Sequence, residues 1–579
     1  MAQDGRIMTI GKRLKWCFIG FVAVLWTDAT LGQSPAIVPY EGLIQLNQGW
    51  SRAEVELYNH STEGTNLAPL EFFLSLPDPE NPLQKFSSRL VSRYGFIASE
   101  KSPLNDHGLP IGFATDPRPQ AFGDRIYVGL TCSACHTREL TYKAVDVSGS
   151  QRLWRLSVHG GPALVDIPKF KTELYDAFAK LLESEELMNQ FALNLLGRAP
   201  FVHEIDSIKL ELTELLGPVM ETRKIIRSAK VQQTTSGPGN LNALTQGYYN
   251  NLGLIEWLVK KGAVPSSPMM VPMPAFDGAD KYPPVWFSWS DDWAQWFVEI
   301  HHPGPRNWVQ AISSSEVRPP KMIDSQKGAV VFSSVHFNNI ADIQLAIEKL
   351  RTPKWPEELF GKLDASKIQL GRMLYVEHCG MCHDPRPLPP NEFGLVFNQR
   401  QAYDVGTDPV AYQQFAKDGA HRTMGLKKLS EQILGLRSTQ LQTGFGETLA
   451  QNYMNMVSRG RPNEFGLATD RSATLQAGRW ETSGAAYWAP PMAGIFSTSP
   501  YFHNGSVRTL HDVLKPAKER EVVFMTGSNE YLPSELGLRS QGDYEYNTSE
   551  LGKGNAGHEF GVQLSGPEKL ALLEYLKSL

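Results

Sequence analysis

The sequence has little cysteine, no long apolar run and no excess of charge of one sign. Five cysteines in 579 residues are too few for a fold built on disulfides. Beyond the N-terminus, no stretch approaches the ~20 apolar residues that span a bilayer. The 56 Lys and Arg nearly balance the 61 Asp and Glu, so a basic nucleic-acid-binding face is not expected. What is present, 41% hydrophobic residues including 13 Trp and 27 Phe, can bury a large core and excludes global disorder.

The N-terminus has the pattern of an export signal. Three basic residues among positions 12–15 precede the apolar stretch 16–26, and small residues follow at 27–32. About 11 apolar residues are too short for a comfortable membrane span, although an uncleaved anchor is the alternative. We predict cleavage before Gln33 and a periplasmic or secreted protein without a membrane span. Cys17 lies inside the apolar stretch and leaves with it.

The four remaining cysteines form two copies of one pattern. These are Cys132-Ser133-Ala134-Cys135-His136 and Cys379-Gly380-Met381-Cys382-His383. Cys-x-x-Cys-His is typical of covalent c-type haem attachment, in which two thiols join the porphyrin and the adjacent imidazole reaches the iron. The sequence therefore predicts two covalently bound haem c groups. His136 is the predicted ligand of the haem 1 iron, and His383 of the haem 2 iron.

Other chemistries explain this pattern less well. The two Cys-x-x-Cys pairs lie much farther apart than the roughly 15–20 residues between the knuckles of a zinc ribbon. A thioredoxin-like redox pair needs a βαβ setting, which neither flank suggests. A structural disulfide between cysteines three positions apart would be strained. Export agrees with haem c, because this group is attached outside the cytoplasm.

The flanks of the two motifs suggest helical domains. Gly-x-x-x-Tyr-Val precedes both motifs, at residues 123–128 and 371–376. In the second copy Asp364 can cap a helix, and a close crossing by the last helix would explain Gly371 inside it. The last helix follows a capping box that starts at Ser565. Crossed first and last helices are typical of cytochrome c domains. We therefore predict an all-α fold with two tandem cytochrome c-like domains and an irregular N-terminal extension.

The predicted organisation has four parts. Residues 1–32 are the signal peptide, residues 33–110 the extension, residues 111–350 the first cytochrome c-like domain with haem 1, and residues 351–579 the second with haem 2. The first domain includes four tryptophans within residues 285–296. These indoles are predicted to form a buried wall, and they would equally suit a haem-pocket lining or an electron conduit between the haems.

With both attachment motifs in place, three further segments carry a family resemblance. They are Gly160-Gly161-Pro162-Ala163-Leu164, the stretch from Pro500 to Leu510 that reads Pro-Tyr-Phe-His-Asn-Gly-Ser-Val-Arg-Thr-Leu, and Asn555-Ala556-Gly557-His558-Glu559-Phe560-Gly561. With them the chain resembles the bacterial di-haem cytochrome c peroxidase superfamily. It is most similar to the larger branch that includes the rubber oxygenases, and also to the methylamine-utilisation di-haem enzymes. The resemblance implies an all-α periplasmic fold, two haems and oxidative chemistry driven by peroxide or dioxygen.

The resemblance also implies a sixth ligand for haem 2. Peroxidases of this family place a Met about one helix beyond the Tyr-Phe-His segment, but residues 513–518 contain none. His558, in a glycine-rich loop, is the first choice for this ligand, as the rubber-oxygenase pattern suggests. His503 is the second choice, and its alternative role is a structural hydrogen bond.

For haem 1, the resemblance points to His159. The peroxidases carry a displaceable distal histidine at a similar distance from the attachment motif, and Gly160 would permit movement. His159 would then be a reversible ligand or the acid–base group that splits peroxide. A plain loop histidine is the alternative. His136 and His159 are thus the predicted catalytic residues.

Three functions remain open on the sequence alone. The first is an oxidoreductase in which peroxide reacts at haem 1 and haem 2 relays electrons. The second is a dioxygen-dependent oxygenase that cleaves an apolar substrate, and the third is a non-enzymatic electron-transfer cytochrome. The expected partners are a small-molecule oxidant and a small electron-donor protein such as a monohaem cytochrome or a cupredoxin. The resemblance also allows for a calcium ion between the domains, although no acidic loop in the sequence identifies its site.

Overall fold

The structure, a computed structural model, describes most of the chain from residue 43 onwards. The described ranges are residues 43–117, 125–145, 151–228, 237–241, 243–261, 336–383, 402–413 and 486–579, together with 278, 280–286, 288, 293–294, 296 and 300–301. The predicted signal peptide, Cys17 and part of the tryptophan-rich segment lie outside them. Across the described ranges, no helix combines the length and apolar character needed to cross a membrane.

Helices occur in both halves of the described chain. They span Arg52–His60, Leu70–Ser75, Leu90–Tyr94, Cys132–Cys135, Ile167–Glu183, Glu185–Leu196, Val202–Ser228, Ala243–Lys260, Phe337–Lys349, Glu357–Phe360, Ala365–His378, Leu510–Val513 and Gly566–Ser578, and 3-10 turns span Phe86–Arg89, Ile495–Ser497 and Ala517–Glu519.

The predicted all-α fold is wrong, because the described residues also form eight small sheets. The strands span Leu43–Gln45, Ala68–Pro69, Pro77–Asp78, Asn81–Lys85, Phe113–Asp116, Tyr127–Leu130, Thr137–Val145, Gln151–His159, Asn240–Leu241, Asp280–Lys281, Trp293–Ala294, Ile300–His301, Ala402–Tyr403, Tyr487–Trp488, Val523–Thr526, Tyr531–Leu532, Gly537–Leu538 and Tyr544–Asn547. The protein is therefore a mixed α/β fold in which short sheets are inserted between helices.

The longest strands form a hairpin that begins directly after His136. Strand Thr137–Val145 pairs antiparallel with Gln151–His159, and Leu43–Gln45 adds a parallel third strand. Leu140 lies opposite Leu156, and both are fully buried. Alternate residues of a strand share a face, so these leucines place one face of the hairpin against the core. We call this element the haem 1 hairpin.

The predicted irregular extension instead forms helices and strands, and their side chains join the hydrophobic core of the first half of the chain. Helix Leu70–Ser75 contributes Phe72 and Phe73, which contact Phe191 and Phe113 at ring-centroid distances of 5.4 and 5.8 Å. All four rings are at most 1% exposed. Aromatic side chains bury large apolar areas, so the residues before the first attachment motif are part of this core.

The two attachment motifs sit in different local structures despite their similar flanks. Tyr127–Leu130 before Cys132 is a strand that pairs with Phe113–Asp116, whereas the residues before Cys379 form the helix Ala365–His378. The Gly-x-x-x-Tyr-Val repeat is therefore not a structural repeat. Pairing with a neighbouring strand determines the conformation of the first copy, because this long-range contact outweighs local propensity.

The predicted crossing of two helices near the second motif is confirmed. The Asp364 carboxylate accepts hydrogen bonds from the backbone N–H groups of Ser366 and Lys367 and so caps the first of these helices. A Cβ atom built on Gly371 would overlap the backbone of Ala571 in helix Gly566–Ser578. Only a residue without a side chain allows the two backbones to approach this closely.

Candidate haem-binding sites

The first attachment motif holds its histidine in the orientation of a metal ligand. Cys132–Cys135 is one helical turn, and the Cys132 N–H donates to the Glu63 carboxylate at 2.5 Å. His136 is 7% exposed, and its Nδ1 lies 2.9 Å from the carbonyl oxygen of Pro283. A carbonyl can only accept, so the proton is on Nδ1 and Nε2 is the ring nitrogen whose lone pair could bind a metal.

The second motif repeats this arrangement. The Nδ1 of His383 donates to the carbonyl oxygen of Pro490 at 2.8 Å, and the hydroxyl of Tyr375 donates to the backbone carbonyl of His383. None of the four motif cysteines forms a disulfide. Both motifs therefore present two thiols and a neutral imidazole with a fixed tautomer, which is the donor set that haem c requires.

A cavity of about 390 Å³ lies against the second motif. Its wall includes both thiols of the motif, His383, His558 and His503, and otherwise consists mainly of apolar side chains such as Met492, Ile495 and Leu572. An apolar cavity with a few polar groups is suited to a porphyrin, whose body is apolar and whose metal needs nitrogen ligands.

His558 faces His383 across this cavity. Their ring centroids are 6.2 Å apart, and the ring planes are inclined by 61°. Two imidazoles on opposite faces of one iron would have centroids about 6.4 Å apart, since each iron–nitrogen bond of ~2.0 Å is followed by ~1.2 Å to the ring centre. The observed separation therefore fits a metal between the two rings.

The loop that presents His558 is tightly constrained. Gly557 and His558 both adopt left-handed backbone conformations, with φ of 72° and 48°. A non-glycine residue in this region is strained and persists where its surroundings fix it. The His558 N–H donates to the Val405 carbonyl at 2.8 Å, and the Arg520 guanidinium donates to the carbonyl oxygens of Gly557 and His558 at 2.8 and 3.1 Å. Sequence reasoning selected His558 but missed Arg520.

His503, the second choice as a ligand, also lines the cavity but is stacked on a tyrosine. Its ring lies 3.7 Å from that of Tyr487 with only 12° between the planes. The Nε2 atom has no hydrogen-bond partner among the described residues, and burial lowers the pKa of this imidazole to about 3. Among the described residues, the histidine ring that contacts the ring of His383 is that of His558.

His159 is at the end of the haem 1 hairpin and is held through its backbone. Gln48 donates to its carbonyl and accepts from its N–H, both at 2.8 Å, and the Trp286 indole donates to the same carbonyl at 2.7 Å. The strand register pairs His159 with Thr137, directly beside His136. These three hydrogen bonds fix the backbone of His159 and oppose the displacement that the glycine at position 160 would permit.

The His159 ring itself is surrounded by aromatic side chains. It is 2% exposed and lies 5.4 Å from the ring of Trp50 and 6.3 Å from that of Tyr58. Neither ring nitrogen finds a hydrogen-bond partner within the described part of the chain, and burial lowers the pKa to about 4. At neutral pH the imidazole is uncharged, so it is a buried proton acceptor and not the surface loop histidine that was the alternative.

Two basic side chains that lie between the two motifs in the sequence are buried. Arg138 is fully buried in the haem 1 hairpin, and burial lowers its pKa to about 10. Lys281 is 6% exposed and lines the cavity, and burial together with the charge of Arg138 lowers its pKa to about 7. Neither residue was predicted, because a lone base carries no motif.

The two prolines that fix the histidines were also missed, although a signal existed. Both acceptors are the first proline of a Pro-Pro dipeptide, at 283–284 and 490–491. Two further Pro-Pro dipeptides occur at 319–320 and 389–390, so the signal alone is not specific.

The tryptophan-rich segment is described only in part. The Trp286 indole bonds to His159, and Trp296 donates to the Lys281 carbonyl at 2.8 Å. Both indoles are buried, which agrees with the predicted wall at these two positions. Within the described ranges, no group of three His, Cys, Asp or Glu side chains is placed to hold a metal ion, so the calcium site has no candidate there.

Comparison with known proteins finds one relative and one family match. A protein of Sinorhizobium fredii, described as uncharacterized protein y4iJ, is 28% identical over 595 aligned positions, which cover 92% of this chain and 93% of that protein. Residues 486–525 match the family described as RoxA-like, cytochrome c-like, and this segment includes Tyr487, Pro490 and His503. The match supports the rubber-oxygenase-like part of the resemblance, while membership of the di-haem peroxidase superfamily stays a prediction. Near its C-terminus the chain is therefore similar to RoxA-like cytochrome c domains, and this similarity suggests a haem c-binding protein of the oxidoreductase type.

Proposed function

We propose that the chain is an exported di-haem c-type cytochrome that acts as an oxidoreductase, with peroxide reacting at haem 1 and electrons relayed through haem 2. The observation that carries this proposal is a hydrogen bond that the two motifs share. In each, the histidine that follows the second cysteine donates Nδ1–H to a proline carbonyl. Haem c supplies a redox-active iron that can either pass electrons or react with an oxidant.

The residues divide between holding and tuning roles. Cys132 and Cys135 hold haem 1, and Cys379 and Cys382 hold haem 2, through thioether bonds. His136 and His383 are the nitrogen ligands, and their proline acceptors keep each imidazole in one tautomer and raise its basicity.

A difference between the sites supports the division of labour. The 6.2 Å separation of the His383 and His558 rings supports His558 as a second ligand at haem 2, and a strong second ligand would block access of an oxidant there. His159 is the candidate acid–base residue of haem 1. Its uncharged, partnerless imidazole can accept a proton from peroxide, although its clamped backbone supports a fixed position over displacement.

Localisation and partners follow from the same proposal. The basic, apolar and small-residue pattern of residues 1–32 supports export, and cytochrome c domains usually work in the periplasm or outside the cell. A small electron-donor protein such as a monohaem cytochrome or a cupredoxin would supply electrons, and a small-molecule oxidant would consume them.

A second candidate function rests on the family match. The RoxA-like segment favours a dioxygen-dependent oxygenase that cleaves an apolar substrate, since this branch includes the rubber oxygenases. In that case haem 1 would bind dioxygen in place of peroxide.

Spectroscopy and turnover separate the candidates. Purified haem-loaded protein should show one high-spin and one low-spin ferric haem, and it should consume peroxide when given reduced cytochrome. A stable dioxygen complex as isolated, without peroxide turnover, would favour the oxygenase. Two low-spin haems that bind neither peroxide, cyanide nor carbon monoxide would reduce the protein to an electron carrier.

A further inference from the structure

Lys281 is a buried lysine, and its hydrogen bonds to the described residues leave the charge of its ammonium form uncompensated. Its ammonium group donates to the carbonyl oxygens of Thr498 and Pro500 at 2.5 and 2.6 Å. Among the described residues, no carboxylate forms an ion pair with it. An ammonium has three N–H donors, so one remains for another acceptor.

A second buried basic residue, Arg138, disfavours the charged form of Lys281. Arg138 is fully buried and donates to the Pro162 carbonyl at 3.0 Å, while its Nε and Nη2 have no partner among the described residues. The charge of Arg138 also lowers the pKa of Lys281. A buried positive charge costs several kcal/mol unless an anion accompanies it, so the ammonium form of Lys281 calls for an acidic ligand.

The position of Lys281 indicates which anion this is. Its side chain forms part of the wall of the cavity that also contains His383 and His558. Haem carries two propionate groups, which are carboxylates at neutral pH, on the edge of an otherwise apolar ring. A carboxylate entering this cavity with the porphyrin would meet the free N–H of Lys281, forming a charge-assisted hydrogen bond.

We infer that Lys281 is the counter-ion that binds a propionate of haem 2. This inference rests on the proposed attachment of haem 2 at the second motif. It adds a residue that neither the attachment pattern nor the family match assigns. Because the cation lies beside the haem, it also favours the reduced, less positive iron.

Replacement of the charge tests the inference. Lys281→Met keeps the length of the side chain but removes its charge. We expect the one-electron equilibrium at haem 2 to shift at least tenfold towards the oxidised form, which is about 59 mV in midpoint potential. The measurement is a spectroelectrochemical titration of both haems, with haem 1 as the internal reference.

Lys553→Met is the matched control. Lys553 is also buried, but it already pairs with the Glu550 carboxylate at 2.6 Å and is not part of the cavity wall. We expect a much smaller shift there. If Lys281→Met contains two haems and leaves the haem 2 equilibrium within twofold of the parent protein, or shifts haem 1 alone, the assignment is wrong.

Two further readouts keep the test decisive. Covalent haem content of the parent protein tests the proposed function separately, because loss of haem 2 there would refute the attachment and not only the role of Lys281. If Lys281→Met does not fold, a crystal structure of the haem-loaded parent protein decides. A propionate oxygen in hydrogen-bond contact with Lys281 Nζ supports the inference, and a separation beyond about 4 Å overturns it.

Discussion

His558 is the residue on which the assignment of haem 2 depends most directly. Its ring lies 6.2 Å from that of His383, so His558→Ala should open one face of the iron. We expect the low-spin haem 2 spectrum to become high-spin, as seen by electron paramagnetic resonance, with ligand binding at haem 1 retained. His503→Phe, which keeps an aromatic ring against Tyr487, should leave the low-spin signal intact. The opposite pattern would transfer the ligand role to His503.

The buried histidines also predict how stability depends on pH. Burial lowers the pKa of His503 to about 3, whereas the unfolded side chain titrates near ~6.5. Below pH ~6.5 this histidine binds a proton in the unfolded chain but not in the folded chain. The free energy of unfolding therefore decreases as the pH falls from about 6.5. His503→Phe should lessen this decrease by up to ~1.4 kcal/mol per pH unit in urea unfolding of the apoprotein. Parallel pH profiles for variant and parent would contradict this.

At the residue scale, the sequence identified the groups with a motif and missed those that act through space. Both Cys-x-x-Cys-His motifs are complete within five residues, so their donor sets could be read directly. Pro283 and Pro490 act through backbone carbonyls 147 and 107 positions away from their histidines. A carbonyl is present in every residue, so only the tertiary fold shows which one is used.

Among the elements, the crossing at Gly371 gives the sharpest prediction. A Cβ there would overlap the Ala571 backbone, so Gly371→Ala must push the two helices apart. We expect a net loss of about 1–3 kcal/mol in the free energy of unfolding, despite the ~1 kcal/mol that alanine gains in helix propensity. Gly566→Ala is the control, because nothing lies within 4 Å of the position that its methyl group would take. Equal stability of Gly371→Ala and Gly566→Ala in denaturant titrations would refute the close crossing.

The helices near the second motif were predictable because the residues that cap them are close to them in the sequence. The Asp364 cap and the capping box at Ser565 lie within one turn of the helices they start. The haem 1 hairpin was not predicted, and its third strand, Leu43–Gln45, comes from more than 100 residues earlier in the chain. Such pairing depends on contacts far apart in sequence, which a reading of local propensity does not detect.

For the whole molecule, haem stoichiometry is the decisive quantity. Protein exported by a host that attaches haem c should exceed the mass of the apoprotein by two haems and should begin near Gln33. Cys379→Ala combined with Cys382→Ala should remove one haem and leave the other, as measured by intact mass and the pyridine haemochrome. Retention of two haems in that variant, or bound zinc in the parent protein, would contradict the assignment of the second motif.

The haem 1 hairpin has a consequence for the timing of electron transfer. It starts at the residue after His136, and at mid-strand the Thr141 N–H donates to the Asn529 carbonyl at 2.8 Å, while Lys143 pairs with Glu530 at 2.9 Å. The strand that follows the first motif is thus held directly against residues 529–530, late in the chain. Electron tunnelling slows exponentially with distance, so a fixed gap should give one rate constant. Flash reduction of the di-haem protein should therefore yield a single-exponential exchange between the haems, with a rate that does not change with solvent viscosity.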